Sequence, residues 1–279
     1  MYDIIFLLSE GVMIIIKNGT LDRIKDWQDD SIYVLADFDR TITVGDSEGS
    51  WSILSKSEKV PKGYIDEAQE LYEHYRPIEV DESLDEEIKN ELMVEWWNKH
   101  IRLFPKYQIS EEIVSNAARD LNVMSFRKGG REFLENMRDR NIPVIIISAG
   151  IGNFIEQFFE VNDCWFENVH IVSNFIEFQN GIAVGISDRV IHSLNKNEVT
   201  LPEEIKELVK NRKNIILLGD CVGDVKMASD EARENALKIG FLEESIDENM
   251  KYYESEFDVV CTNNTGYDEL SQNLEVLNR

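Results

Sequence analysis

The chain has 279 residues, 43% of them hydrophobic, which is enough for one large domain or for a core domain with a smaller insertion. Its 54 acidic residues against 29 basic ones give a formal net charge of -25, and this charge repels nucleic acids and anionic membranes, so we expect neither as a partner. Phosphate esters are repelled as well, and a phosphate site here would need local positive charge, for which a divalent cation is the obvious source.

Cysteine usage and the first residues indicate a cytoplasmic protein. The three cysteines are widely spaced and form neither a disulfide framework nor a zinc-ligand pattern, which favours a reducing compartment. Two apolar patches, at residues 4–8 and 12–16, are far too short to span a bilayer. Because no positively charged region precedes the first patch, we expect no signal peptide.

Apolar runs and amphipathic stretches alternate along most of the chain. Five runs have the length and composition of buried parallel strands. The stretches between them, clearest over residues 129–140 and 201–210, predict helices. This alternation predicts an α/β fold, an open parallel sheet with helices on both faces and with ligands at the strands' carboxyl ends. The predicted strands are residues 33–36, 142–147, 214–218, 237–241 and 257–261.

One long segment interrupts the alternation. Residues 46–124 contain no run of this kind and are charged, aromatic and helical in pattern, so we predict an inserted helical cap. The catalytic core then comprises residues 1–45 and 125–279. Within it, residues 171–186 are broken by Asn180-Gly181, which predicts a β-hairpin.

The first predicted strand runs directly into two carboxylates. Asp37 and Asp39 are two residues apart, so on extended backbone both point the same way. Such a pair suits covalent phosphoryl transfer, in which one aspartate attacks phosphorus and the other moves a proton. The alternative is a helix cap or a polar turn, where aspartate is common.

Three further segments carry candidate groups. Ser148-Ala149-Gly150 follows the most apolar strand and could hold a phosphate through a hydroxyl and backbone N–H groups, although taken alone the segment favours a Ser148 that caps the next helix. Asp220 and Asp224 follow another strand in a glycine-containing turn that offers the oxygen ligands magnesium prefers, or else forms an acidic surface turn. Lys196 could neutralise phosphoryl oxygens, but its pattern is also that of an ordinary exposed lysine.

The order of these motifs resembles the haloacid dehalogenase-like phosphatases, which have a Rossmann-like core. Over residues 33–260 the chain is similar to the cytosolic 5'-nucleotidase class III family, also called pyrimidine 5'-nucleotidases. The strings that carry this resemblance are Pro77-Ile78-Glu79-Val80-Asp81, Met93-Val94-Glu95-Trp96, Ser148-Ala149-Gly150-Ile151-Gly152, Val172-Ser173-Asn174-Phe175, Ile191-His192 with Asn195-Lys196, and residues 215–220.

The resemblance implies a role for each matched residue. Asp37 would be the nucleophile, Asp39 the acid/base and a magnesium ligand through its carbonyl, and Lys196 would neutralise the phosphoryl group. Ser148 and Ala149 would hold that group, and Asp220 would bind magnesium with Asp224 beside it. Glu79 matches a base-recognising glutamate, His100 stands where the family has a pocket serine, and Trp96 and Trp97 could stack on the substrate or form cap core.

These expectations favour a magnesium-dependent phosphomonoester hydrolase that acts through an aspartyl phosphate, with a nucleoside 5'-monophosphate as the expected substrate. One alternative is a phosphatase for another small ester, such as a phosphorylated amino acid or alcohol, because His100 and the segment after the first motif depart from the family. The other alternative is a non-catalytic magnesium-binding or partner-binding protein. The residues leave the nucleobase and the oligomeric state open.

Overall fold

An eight-stranded sheet organises the structure, a computed structural model that describes residues 2–7, 12–57, 59–81, 83–119, 124–187 and 189–278. The strand order is β1-β2-β10-β9-β8-β3-β4-β5, and the strands from β10 to β5 are parallel. The strands are β1 (Tyr2–Leu7), β2 (Met13–Lys17), β3 (Ile32–Ala36), β4 (Val144–Ile151), β5 (Val169–Asn174), β6 (Ile176–Gln179), β7 (Ile182–Ile186), β8 (Asn214–Gly219), β9 (Leu237–Leu242) and β10 (Val259–Thr262).

Helices cover both faces of this sheet because both faces are apolar. Along β3, Val34 and Ala36 belong to one buried cluster, and Tyr33 and Leu35 belong to the other. This alternation is what a strand buried on both sides requires. The helices are α1 (Thr20–Ile24), α2 (Ser50–Lys56), α3 (Lys62–Val80), α4 (Glu86–Lys106), α5 (Glu111–Ala118), α6 (Gly130–Asp139), α7 (Gly152–Val161), α8 (Glu203–Val209), α9 (Asp230–Arg233), α10 (Ile246–Glu256) and α11 (Tyr267–Asn273).

The predicted α/β class and the five predicted strands are confirmed, one local prediction is corrected, and two strands are added. The predicted hairpin over residues 171–186 is shorter: β6 and β7 form it, while residues 171–174 belong to β5 of the main sheet. Asn180 and Gly181 form its turn with φ of 53° and 76°, the left-handed conformation that an Asn-Gly hairpin turn needs. The two added strands, residues 2–7 and 13–17, were not predicted from the sequence and form an antiparallel edge next to β10.

Helices α2, α3, α4 and α5, here called the cap helices, lie within the segment predicted as an insertion. The helices α3 and α4 pack against each other, and α4 also packs against β7 of the hairpin. Among the described residues, no helix is both long enough and apolar enough to cross a membrane.

Two short linkers run side by side between the cap helices and the core. The N–H of Val44 donates to the carbonyl of Ser125 (3.0 Å), and the N–H of Arg127 donates to the carbonyl of Ile42 (2.9 Å). The Arg127 side chain is fully buried, lies over the Phe241 ring, and donates to Glu243 (2.7 Å). It also donates to the carbonyls of Arg40, Thr41 and Thr265, so one guanidinium ties the segment after β3 to the segment after β10.

Replacing Arg127 with methionine should lower the free energy of unfolding by about 3 kcal/mol, because it leaves Glu243 and three buried carbonyls without their partner. Urea unfolding would measure this loss. The matched control is Lys128→Met, because Lys128 is 71% exposed and its ion pairs lie at the surface, so its loss should cost far less stability than that of Arg127. Equal losses in the two variants would contradict this role of Arg127.

Candidate active site

The ends of three adjacent strands lie at one level of the sheet. Ala36 of β3 is in register with Leu218 of β8 and with Ile146 of β4. The N–H of Asp37 continues this pairing by donating to the carbonyl of Leu218 (3.0 Å). Polar groups that follow these strands, although they are distant along the chain, are therefore brought to the same edge.

The loop after β3 turns its two aspartates away from the core. Phe38, between them, is fully buried and packs against the rings of Phe158 and Phe159. Because alternate residues of extended backbone point in opposite directions, Asp37 and Asp39 face the other side. Arg40 then takes a left-handed conformation, with φ of 61°, which turns the chain sharply out of the sheet.

A buried lysine lies among the carboxylates. Lys196, 10% exposed, forms ion pairs with Asp37 and with Asp224 (3.3 Å). Burial lowers the pKa of this ammonium, but Asp224 and Asp37 outweigh it and hold the pKa well above its ordinary value, so Lys196 is charged. The other oxygen of Asp224 accepts the N–H of Cys221 (3.1 Å), which uses both oxygens of that carboxylate.

The negative charges of the other carboxylates are balanced less fully by neighbouring positive groups. Burial and the neighbouring Asp37 raise the pKa of Asp39 to about 7, and burial raises that of Asp37 to about 6 despite Lys196. Burial and the charges of Asp37 and Asp224 raise the pKa of Asp220 well above its ordinary value. The Oδ1 of Asp39 is buried without a hydrogen-bond partner. This oxygen-rich, under-compensated cluster fits a divalent cation of the magnesium type.

The end of β4 bends around a small cradle. The register with β5 shifts between Ile147 and Ile151, so the predicted loop Ser148-Ala149-Gly150 is an irregular strand end. Ser148 Oγ accepts the N–H of Gly150 (3.0 Å). A Cβ on Gly150 would lie 3.1 Å from Ser148 Oγ and 3.4 Å from an oxygen of Asp39, so glycine keeps the space between them open.

Asn174, at the end of β5, connects the cradle with the segment that carries Lys196. Its amide N–H group donates to the carbonyls of Ala149 (3.0 Å) and Ile191 (2.8 Å), and its oxygen accepts the N–H of Ile191 (2.8 Å). The side chain is 1% exposed. One amide thus fixes the spacing between the cradle and the segment that carries Lys196.

The strand ends open into a cavity of ≈ 750 Å³, which α2, α3 and α4 cover. Its size is typical of a pocket for a small molecule. Nine of the residues predicted from the sequence line it: Asp37, Asp39, Trp96, Trp97, His100, Ser148, Ala149, Lys196 and Asp220.

The other two predicted residues do not line the cavity. Asp224 lies behind Lys196, with which it forms an ion pair. Glu79 forms an ion pair with Arg76 and accepts the hydroxyl of Ser193 (2.6 Å), and Arg76 reaches the cavity in its place. The predicted contact between Glu79 and a substrate therefore stays a prediction.

Aromatic rings form much of the cap side of the cavity. Trp51 donates its indole N–H to the carbonyl of Ala149 (3.0 Å), and its ring packs 4.6 Å from His100. Burial lowers the pKa of His100 to about 4, which makes it a neutral ring near pH 7. Trp96 stacks on Tyr75, so it is at once a cavity residue and cap core.

Several site residues had no distinct signal in the sequence. Arg40, Trp51, Arg76 and Cys221 line the cavity, but nothing in the sequence distinguishes them from the other residues of their segments. Asn174 has no individual motif and lies only within one of the strings that resemble the family. It is nevertheless a polar residue at a strand end, as Asp37, Ser148 and Asp220 are, and that position was the available signal.

Metal-free protein should lose stability as the pH rises from about 4 to about 7. The pKa of Asp39 is raised from 3.8 to about 7, so the folded state binds this proton more tightly than the unfolded chain. The stabilisation is complete below the ordinary pKa and is lost as the pH rises through the folded value. We expect the Tm to fall across this range and magnesium to raise it above about pH 7, as thermal unfolding would show.

The control is Asp39→Asn, which keeps the shape of the side chain and removes its titration. Other acidic groups contribute to the slope in both proteins, so the informative quantity is the difference between them. Identical slopes of Tm against pH would show that Asp39 is not the responsible group.

Comparison with known proteins identifies relatives over most of the chain. The profile of the family described as Pyrimidine 5'-nucleotidase (UMPH-1) matches residues 39–278. The 7-methylguanosine phosphate-specific 5'-nucleotidase of Drosophila melanogaster is 33% identical over 244 residues, covering 84% of this chain and 76% of the relative. The protein of the same name from Homo sapiens is 32% identical over 257 residues, covering 89% of this chain and 83% of the relative.

Solved structures agree with the sequence relatives. Cytosolic 5'-nucleotidase IIIB bound to cytidine matches with a TM-score of 0.82 and 30% identity, covering 94% of this chain and 90% of that structure. An apo phosphoserine phosphatase matches with a TM-score of 0.53 and 15% identity, covering 88% and 98%, and shares the fold alone. The chain therefore belongs to the pyrimidine 5'-nucleotidase family of phosphoric monoester hydrolases and has the haloacid dehalogenase-like fold.

Proposed function

We propose that this protein hydrolyses nucleoside 5'-monophosphates with magnesium, through a phosphoryl group carried covalently on Asp37. The observation that carries the proposal is the position of Asp37: it lines the covered cavity, in an ion pair with Lys196 and beside Asp39. Relatives named 5'-nucleotidases support the nucleotide as substrate.

In the first step, an Oδ atom of Asp37 attacks phosphorus opposite the ester oxygen. The bond between phosphorus and the 5'-oxygen breaks, and Asp39 gives its proton to the departing oxygen of the nucleoside. A pKa of about 7 leaves a substantial fraction of Asp39 protonated near neutral pH, as a general acid requires. Lys196 holds the negative charge of the phosphoryl oxygens.

In the second step, water attacks the phosphorus of the aspartyl phosphate. Asp39, now a carboxylate, takes a proton from this water, the bond from phosphorus to Asp37 breaks, and phosphate leaves. The Asp37 carboxylate and the protonated Asp39 are restored, so the cycle balances. The cap helices cover the cavity and limit the access of bulk water to the intermediate.

Magnesium, when bound, would supply positive charge to the phosphoryl oxygens and to the crowded carboxylates. We propose that Asp37, the backbone carbonyl of Asp39 and Asp220 hold it. Asp224 stands beside them. Both of its oxygens accept hydrogen bonds from the protein, so its role is to hold Lys196 and the turn at Cys221 in place. The thiol of Cys221 lies near Asp220 and Asp224, but magnesium prefers oxygen ligands.

The nucleotide specificity and the location of the protein are parts of the same proposal. Relatives are named for 7-methylguanosine phosphate, and a related structure holds cytidine, so the names alone do not fix the base. Relatives are also named cytosolic, in line with the location expected from the cysteines. Membership of an enzyme family speaks against the non-catalytic alternative.

Asp37→Asn should lower kcat at least about a thousandfold, because the amide is a poor nucleophile. Phosphate release from several nucleoside 5'-monophosphates and from phosphoserine, with magnesium or with a chelator, would measure this. Asp247→Asn, at an exposed position on α10, is the control. Full activity of Asp37→Asn would refute the nucleophile, whereas a preference for phosphoserine would refute only the nucleotide.

Asn174→Ala should lower kcat by roughly 10- to 100-fold, because a displacement of about 1 Å between catalytic groups has this effect. The control is Asn168→Ala. Asn168 is also a buried amide, but it donates to the carbonyl of Ile142 (2.9 Å), at the opposite end of β4. Both variants should lose stability and only the first should lose turnover; equal kcat in the two would show that Asn174 does not position the site.

A further inference from the structure

The cap side of the cavity carries a positive charge that no lining carboxylate balances. One face of α3 lines the cavity with Ala68, Gln69, Tyr72 and Arg76, at helical spacing. Among the described lining residues, Glu48 is the one carboxylate outside the catalytic group. It already pairs with another lining cation, Lys56, and so does not offset Arg76.

Glu79 neutralises Arg76 from outside the cavity. The carboxylate of Glu79 is 12% exposed, and its two oxygens accept from Arg76 and from Ser193. The Arg76 side chain is 49% exposed and lines the cavity, whereas Glu79 does not. A bound base would therefore meet the guanidinium and its remaining N–H groups before it met the carboxylate.

Trp97, which lines the same cavity, carries a second donor whose N–H is covered by neighbouring protein atoms. Trp97 is 9% exposed and lines the cavity, and its indole N–H is buried without a hydrogen-bond partner. An unpaired buried donor costs free energy, which a ligand with a suitably placed acceptor would recover. Trp51, the neighbouring indole, already donates to Ala149, so the two tryptophans are not equivalent.

We propose that Arg76 and Trp97 select nucleoside monophosphates whose base is neutral and offers hydrogen-bond acceptors, and that they disfavour cationic bases such as 7-methylguanine. This inference rests on the proposed nucleotidase function and specifies its substrate. It separates this chain from the relatives that are named for 7-methylguanosine phosphate.

Guanine and 7-methylguanine form a suitable pair for this comparison. Guanine presents its O6 and N7 atoms as adjacent acceptors, which the planar donors of arginine match. Methylation at N7 removes one acceptor and adds a positive charge to the ring. Against Arg76 the methylated base therefore loses a hydrogen bond and gains a repulsion between like charges.

The experiment compares kcat/KM for guanosine and 7-methylguanosine 5'-monophosphates at a mildly acidic pH, where the methylated base keeps its charge. The wild-type protein should favour guanosine monophosphate. Arg76→Met should shift the ratio toward the methylated nucleotide by roughly 3- to 10-fold, a range that allows for solvent screening of a half-exposed guanidinium. Arg76→Lys keeps the charge and should preserve most of the preference against the methylated base.

Two further variants identify the groups involved. Trp97→Phe keeps a ring and removes the donor, so kcat/KM for guanosine monophosphate should fall by about 3- to 10-fold. In Arg76→Met/Glu79→Gln, the carboxylate released by the loss of Arg76 is also neutralised, so part of the gain for the methylated nucleotide should disappear.

A wild-type preference for 7-methylguanosine monophosphate, or an unchanged ratio in Arg76→Met, would overturn the inference and leave the nucleotidase function standing. Hydrolysis of neither nucleotide, with another phosphate ester turned over, would instead refute the nucleotide proposal on which the inference rests. Turnover of guanosine monophosphate by Arg76→Met shows that this variant is folded. Arg76→Lys keeps the ion pair with Glu79 and therefore serves as the folded comparison in which the positive charge is retained.

Discussion

The central constraint on this structure is the concentration of negative charge at the ends of β3 and β8. Four carboxylates, those of Asp37, Asp39, Asp220 and Asp224, lie around one buried ammonium, Lys196. Burial makes each charge costly, and the raised pKa values of Asp37 and Asp39 express that cost. In the function that we propose, a divalent cation and, with it, an anionic phosphoryl group would balance this charge.

The fold holds these groups in place through contacts outside the reacting atoms. Strand register sets the level of Asp37, and Asn174 ties the cradle to the segment of Lys196. Arg127 binds the carbonyls that follow Asp39 and so fixes the point where the chain leaves the sheet for the cap helices. Each of these contacts joins segments far apart in sequence, and none contributes a group to the chemistry.

The sequence predicted the core better than the cap, for a physical reason. Buried parallel strands are continuous apolar runs, and polar residues at their ends stand out, so the pattern alone places Asp37, Ser148 and Asp220 at one edge of the sheet. Lys196 lies in irregular backbone, and only the order of motifs marked it. The partners of Glu79 could not be predicted, because helical spacing shows that Arg76 and Glu79 are neighbours but does not show which of them faces the cavity.

The core was easier to predict than the cap because the two parts of the site stand on different kinds of secondary structure. Most of the groups that we propose for the chemistry follow strands whose register leaves little freedom, so their positions vary little once the strands are formed. The residues over the cavity stand on helices, where a change of one side chain, such as His100 or Arg76, alters the pocket without disturbing the sheet. Chemistry and specificity are therefore separable in this fold: a relative can share the reaction completely and still differ in the base that it accepts.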